Sequence, residues 1–221
     1  MTETTNPNLE TATLAGGCYW GMQKQFKTLP GVISSRVGFM GGDGSIFGPE
    51  PTREEYLQVK KGNTGHAEVL EIVYDKTQTS YWDVLAKFFK IHDPRTLNEQ
   101  GVDKGTQYRS EIFTHSPEQE QLAKLAIQAA EASGRWKPDA DEAKAGIPEK
   151  FSTKISPASA FYPAYAEHQN YMDTNAYGED CHVPRFDWVL PSQEEAQQRA
   201  GASQSFVDRI RKPERSLEFA L

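Results

Sequence analysis

A chain of 221 residues, 37% hydrophobic and 25% charged, is long enough for one globular domain with a sizeable core. Its formal net charge is −7 and its basic residues are scattered, so no cationic surface is prepared for the phosphates of nucleic acid or for anionic lipid, and neither partner is expected. Two cysteines, Cys18 and Cys181, are too few for the disulfide scaffold of a secreted protein or for a thiolate zinc cage. Residues 1–10 are polar and resemble neither a secretory signal nor a membrane span, so a cytoplasmic location is expected.

In chain order, the first predicted element is a short strand over residues 11–15, ended by Gly16-Gly17, followed by a helix over 20–29 that Pro30-Gly31 stops. Cys18 falls at the strand-to-helix turn. A β-branched run over 32–39 ends in Gly41-Gly42, and residues 67–74 form a second strand with Leu70, Ile72 and Tyr74 on one face, which Glu68 begins. Ser80 with Asp83 opens a helix through Ile91, burying Val84, Leu85, Phe88 and Phe89. Residues 108–114 read as a strand. Ser116-Pro117 with Gln119 caps a helix whose apolar positions recur at helical spacing as far as Gly134. Residues 136–159 read mostly as loop with one strand near 151–155, and the stretch after Pro191 as an appended tail. Strands mixed with helices at uneven spacing point to an α+β protein, a two-layer sandwich.

Cys18 follows two glycines at a helix start, where unpaired backbone amides and the positive dipole end stabilise a thiolate; the alternative is a small buried core residue. Tyr19 and Trp20 could cup a methyl group or simply pack the helix start. Glu68 heads an otherwise apolar strand face, where an acid can stay protonated and donate, although a strand-end glutamate is more often solvated. Asp103 and the Tyr108 hydroxyl could point into a cleft, or belong to a plain turn.

Together these residues carry a resemblance. Gly17-Cys18-Tyr19-Trp20-Gly21 resembles the signature of A-type peptide methionine sulfoxide reductases, whose usual third residue is phenylalanine, and Thr64-Gly65-His66-Ala67-Glu68-Val69 matches the family too. His92-Asp93-Pro94, Gly105-Thr106-Gln107-Tyr108-Arg109-Ser110, Phe161-Tyr162-Pro163-Ala164 and His168-Gln169-Asn170-Tyr171 follow in order, so the likeness spans residues 14–191. It implies an α+β fold, a two-layer α/β sandwich with a mixed sheet, ferredoxin-like, with residues 1–10 a flexible N-terminus, 11–192 the catalytic domain and 193–221 a C-terminal extension.

The resemblance further implies that Cys18 attacks the sulfur of a methionine S-sulfoxide, free or in proteins, while Glu68, assisted by Tyr108 and with Asp103 in the site, supplies the proton that the departing oxygen needs. Tyr19, Trp20 and Phe39 are the expected substrate-binding residues. Cys181 would then resolve the Cys18 sulfenic acid as a disulfide, with thioredoxin as reductant. No metal, flavin, nicotinamide or other cofactor is implied, and a monomer is expected. Three departures stand out: Phe39 replaces the tyrosine of Gly-Tyr-x-Gly-Gly, Arg53 the tyrosine of Pro-Thr-Tyr, and Tyr165 an acidic residue. Two rival readings remain: a cysteine hydrolase or acyl transferase using His66, His168 or His182 as base, and a binding module for oxidised methionine in which the Phe39 change has weakened catalysis.

Overall fold

The computed structural model describes residues 6–175, 182 and 184–201. Chain order gives β1 (Leu9–Gly16), α1 (Tyr19–Phe26), β2 (Val32–Met40), α2 (Arg53–Val59), β3 (Ala67–Asp75), α3 (Tyr81–Ile91), β4 (Glu99–Gln100), β5 (Asp103–Lys104), β6 (Ser110–Thr114), α4 (Pro117–Ser133), α5 (Ala140–Lys144), β7 (Lys154–Pro157), β8 (Tyr162–Pro163) and α6 (Tyr171–Thr174). Among the described residues, six strands form one sheet in the order β7-β6-β1-β3-β2-β8, and β4 pairs with β5 in a separate small hairpin. Neighbours in the large sheet run antiparallel except β6 and β7, so the sheet is mixed.

Period-two alternation divides the strands between two faces. Leu14, Leu70, Ile72, Tyr74 and Ile112 look toward the main core, while Ala15, Met40, Ala67, Val69 and Phe113 form a smaller cluster on the other face. Helices α1, α3 and α4 cover the main core. Phe26, Leu85, Phe88 and Phe89 are fully buried there, each contributing about 1.5–3 kcal/mol by leaving water. The helix signals work as their chemistry requires. Ser80 accepts from the Asp83 amide at 3.1 Å while Asp83 accepts from the Ser80 amide at 2.9 Å, and Gly134 ends α4 at φ 72°.

Differences from the sequence reading have local causes. β1 begins at Leu9, because Leu9 and Glu10 already pair with Asp75 and Tyr74. β6 begins at Ser110, because residues Thr106–Tyr108 wind into a 3₁₀ turn pinned by Thr106 Oγ1 to the Gly62 carbonyl (2.7 Å) and Gln107 Nε2 to the Lys60 carbonyl (3.1 Å). The 136–150 stretch holds α5, capped by Asp139 and fastened by Glu142 to the buried Arg95. Beyond Pro191, residues 193–201 are helical and Ala196 joins the main core, so the start of this tail packs on the domain. No helix among the described residues is long and apolar enough to cross a membrane.

Candidate active site

β1 delivers the chain to a sharp turn ahead of α1. Gly17 adopts φ 96°, and a side chain there would lie 2.7 Å from Gln100 Cβ and Cγ, so both backbone and space demand glycine. The turn places Cys18 at the N-cap of α1, 8% exposed, at the helix end whose amides lack intrahelical partners. The first of those amides, on Tyr19, donates to Glu68 Oε2 at 3.1 Å. Glu68 comes from β3, opposite Phe39 of β2, and is 3% exposed. The register of the sheet therefore carries an acid to the start of the helix that begins at the thiol.

Cys18 and Glu68 line one small cavity of about 160 Å³ together with Tyr19, Trp20, Tyr56, Lys60, Asp103 and Tyr108. That is well below the ~300 Å³ of a drug-sized site and suits a single side chain. Burial, then the charge of Glu68, pushes the Tyr56 and Tyr108 phenols well above their ordinary range, so both remain hydroxyl donors at neutral pH. Asp103, half-buried on β5, is raised by burial, which Lys60 partly opposes. The apolar side of the cavity is Tyr19 and Trp20, the latter stacked on Tyr171 at 3.8 Å between ring centroids.

Cys18, Glu68, Asp103, Tyr108, Tyr19 and Trp20 are thus brought together. Phe39, an expected substrate contact, is not among the residues that line this cavity. It is 1% exposed and packs against Tyr19 (5.7 Å) and Phe47 (5.6 Å) in the core. Cys181 lies outside the described residues. The sequence reading missed Tyr56 and Lys60. A signal for them existed in Thr52-Arg53-Glu54-Glu55, a capping box in which Thr52 accepts from the Glu55 amide at 3.4 Å and Glu55 accepts from the Thr52 amide at 2.8 Å. That box starts α2, on which Tyr56 lies one turn before Lys60 at the C-cap.

Among the described residues no histidine lines the cavity. His66 bonds Thr64 Oγ1 at 3.1 Å, and His182 donates from Nε2 to the Gly16 carbonyl at 2.6 Å. His168 lies between two tyrosine hydroxyls, and burial lowers its pKa to about 4. The three histidines that an acyl-transfer reading would use as base thus all have hydrogen-bond partners of their own.

Comparison with known proteins converges on one family. A family model described as peptide methionine sulfoxide reductase matches residues 10–200. The chain is 45% identical over 184 residues to the peptide methionine sulfoxide reductase MsrA of Mycolicibacterium gilvum, covering 83% of this chain and 96% of that one. It is 43% identical to MsrA 2 of Rhodopirellula baltica, covering 82% and 95%. Among solved structures it is similar to Mxr1 of Saccharomyces cerevisiae in reduced form, with a TM-score of 0.64 and 33% identity over 85% of this chain and 95% of that one. It is also similar to methionine sulfoxide reductase A of Corynebacterium diphtheriae, with a TM-score of 0.60 and 34% identity over 79% of each chain.

Proposed function

The chain belongs to the peptide methionine sulfoxide reductase family, and from that premise we propose that Cys18 is its nucleophile and Glu68 its proton donor. The enzyme reduces methionine sulfoxide by thiol chemistry. In the mechanism we favour, the substrate methyl group rests against Tyr19 and Trp20, and the sulfoxide oxygen faces Glu68 with the Tyr56 and Tyr108 hydroxyls. The Cys18 thiolate attacks sulfur, and the oxygen takes a proton from Glu68. As the S–S bond then breaks, hydroxyl passes to the Cys18 sulfur; two electrons leave the thiol, methionine departs and a sulfenic acid remains. The Cys181 thiol expels that hydroxyl as water, forming a disulfide, and a dithiol protein of the thioredoxin kind returns it to two thiols.

The observation that carries this reading is the Tyr19 amide on the Glu68 carboxyl, which puts acid and nucleophile on one cavity wall. The strand order β6-β1-β3-β2, with α1 and α3 as crossovers, supports reading the core as ferredoxin-like. We read 11–192 as the catalytic domain, acting as a monomer in the cytoplasm, with 193–221 as an extension. Single-turnover reduction of separated S and R epimers of an N-blocked methionine sulfoxide, without added reductant, tests the assignment. One methionine per chain should appear from the S epimer alone, and Cys18→Ser should abolish it. Release from Cys18→Ser at the wild-type rate would transfer the role to another group. Cys181→Ser should leave the first turnover intact but stop recycling by thioredoxin.

A further inference from the structure

The Tyr19 wall of the cavity has a fastening that the reaction above does not use. Its backbone amide holds Glu68, and its hydroxyl lies 2.5 Å from His168 Nδ1. The other imidazole nitrogen, Nε2, lies 2.7 Å from the Tyr165 hydroxyl. Tyr19 and His168 are buried. The same imidazole meets Trp20 and Tyr56 edge-on at centroid distances of 4.8 and 4.5 Å, so one ring touches three aromatic residues of the cavity lining.

Two tyrosines meet on that ring: Tyr19, directly after Cys18, and Tyr165. A neutral imidazole offers one donor and one acceptor, and a hydroxyl can serve as either, so the two tyrosines satisfy it in both tautomers. Phenylalanine at 19 with tyrosine kept at 165 would leave Nδ1 without its Tyr19 partner in a buried place, which is costly.

We propose that His168 is a positioning residue for sulfoxide reduction, acting through a Tyr19–His168–Tyr165 hydroxyl, imidazole, hydroxyl chain that fixes the Tyr19 wall and, through the Tyr19 amide, the carboxyl of Glu68. The proposal rests on the cavity being the sulfoxide site, which the wild-type and Cys18→Ser single-turnover measurements test separately. With wild-type activity in hand, the full chain is compared with Tyr19→Phe, Tyr165→Phe and Tyr19→Phe/Tyr165→Phe.

Each single variant should lower the saturating single-turnover rate about three- to tenfold, the scale of one supporting hydrogen bond, with little change in half-saturation. The double phenylalanine variant should be scarcely slower than Tyr19→Phe, because the chain is already cut. A wild-type rate for Tyr19→Phe, or losses that multiply in the double phenylalanine variant, would each overturn the proposal. Should a variant fail to fold, imidazole ¹⁵N shifts in the wild type decide: one protonated and one acceptor nitrogen support the chain, and a solvent-averaged pattern overturns it.

Discussion

Glu68 accepts from the Tyr19 amide and is almost wholly removed from water, so glutamine can take over its acceptor role but cannot release a proton. Glu68→Gln should therefore slow single-turnover reduction by about a hundredfold or more, with the thermal midpoint little changed. A near-normal rate would move the acid role elsewhere. The tyrosines divide in the same way. Tyr56 lines the cavity while Phe39 is sealed in the core, so Tyr56→Phe should cost about ten- to a thousandfold in rate, the range for one transition-state donor. Phe39→Tyr should bring no gain in rate, and should destabilise the fold by about 1–3 kcal/mol by burying a hydroxyl without a prepared partner. Parallel rate and denaturation measurements on the two variants check both statements.

At the scale of elements, the site depends on how β1 becomes α1. Gly17 must hold φ 96° while leaving room for Gln100, whose side chain bonds the Asp93 amide and carbonyl at 2.8 and 3.1 Å. Gly17→Ala should cost about 1–3 kcal/mol from the backbone alone and shift Cys18 relative to Glu68. Urea denaturation should register the first effect, and a lower single-turnover rate the second. α2 and the β4–β5 hairpin bring Tyr56, Lys60 and Asp103 to the opposite rim. They are short elements held by the Thr52 capping box and by the two side-chain bonds that pin the Thr106–Tyr108 turn, not by a large apolar face.

Across the whole molecule, the segment that follows Cys181 is anchored to the domain. His182 bonds Gly16, the Arg185 amide donates to the Lys90 carbonyl at 2.9 Å, and Trp82 Nε1 donates to the Pro191 carbonyl at 3.0 Å. His92 ties α3 to β6 through Phe88 O (2.7 Å) and Ser110 Oγ (2.8 Å), and burial lowers its pKa from 6.5 to about 4. A histidine kept neutral in the fold takes up its proton more readily when unfolded, so protonation of the unfolded chain draws stability away as pH falls. Stability should be full above about 6.5 and decline between about 6.5 and about 4, with His168 contributing in the same direction. Thermal midpoints across that range check the sign, and a flat profile would contradict neutral burial of these rings.

The sequence by itself determined the long elements and the setting of Cys18. The apolar periodicities of β3 and α3, the Ser80 and Ser116 caps, and the glycines before Cys18 act through neighbours within a turn or two, and such signals are local. It also placed Glu68 on the core face of β3, because alternation needs no partner to be read. Only the tertiary structure decided that Tyr56 and Lys60 join the lining of the cavity, that Phe39 is sealed in the core, and that His168 bonds two tyrosines. These depend on sheet register and on which short elements fold over the helix start. They come from contacts between residues far apart in the chain, whose energies no local pattern encodes.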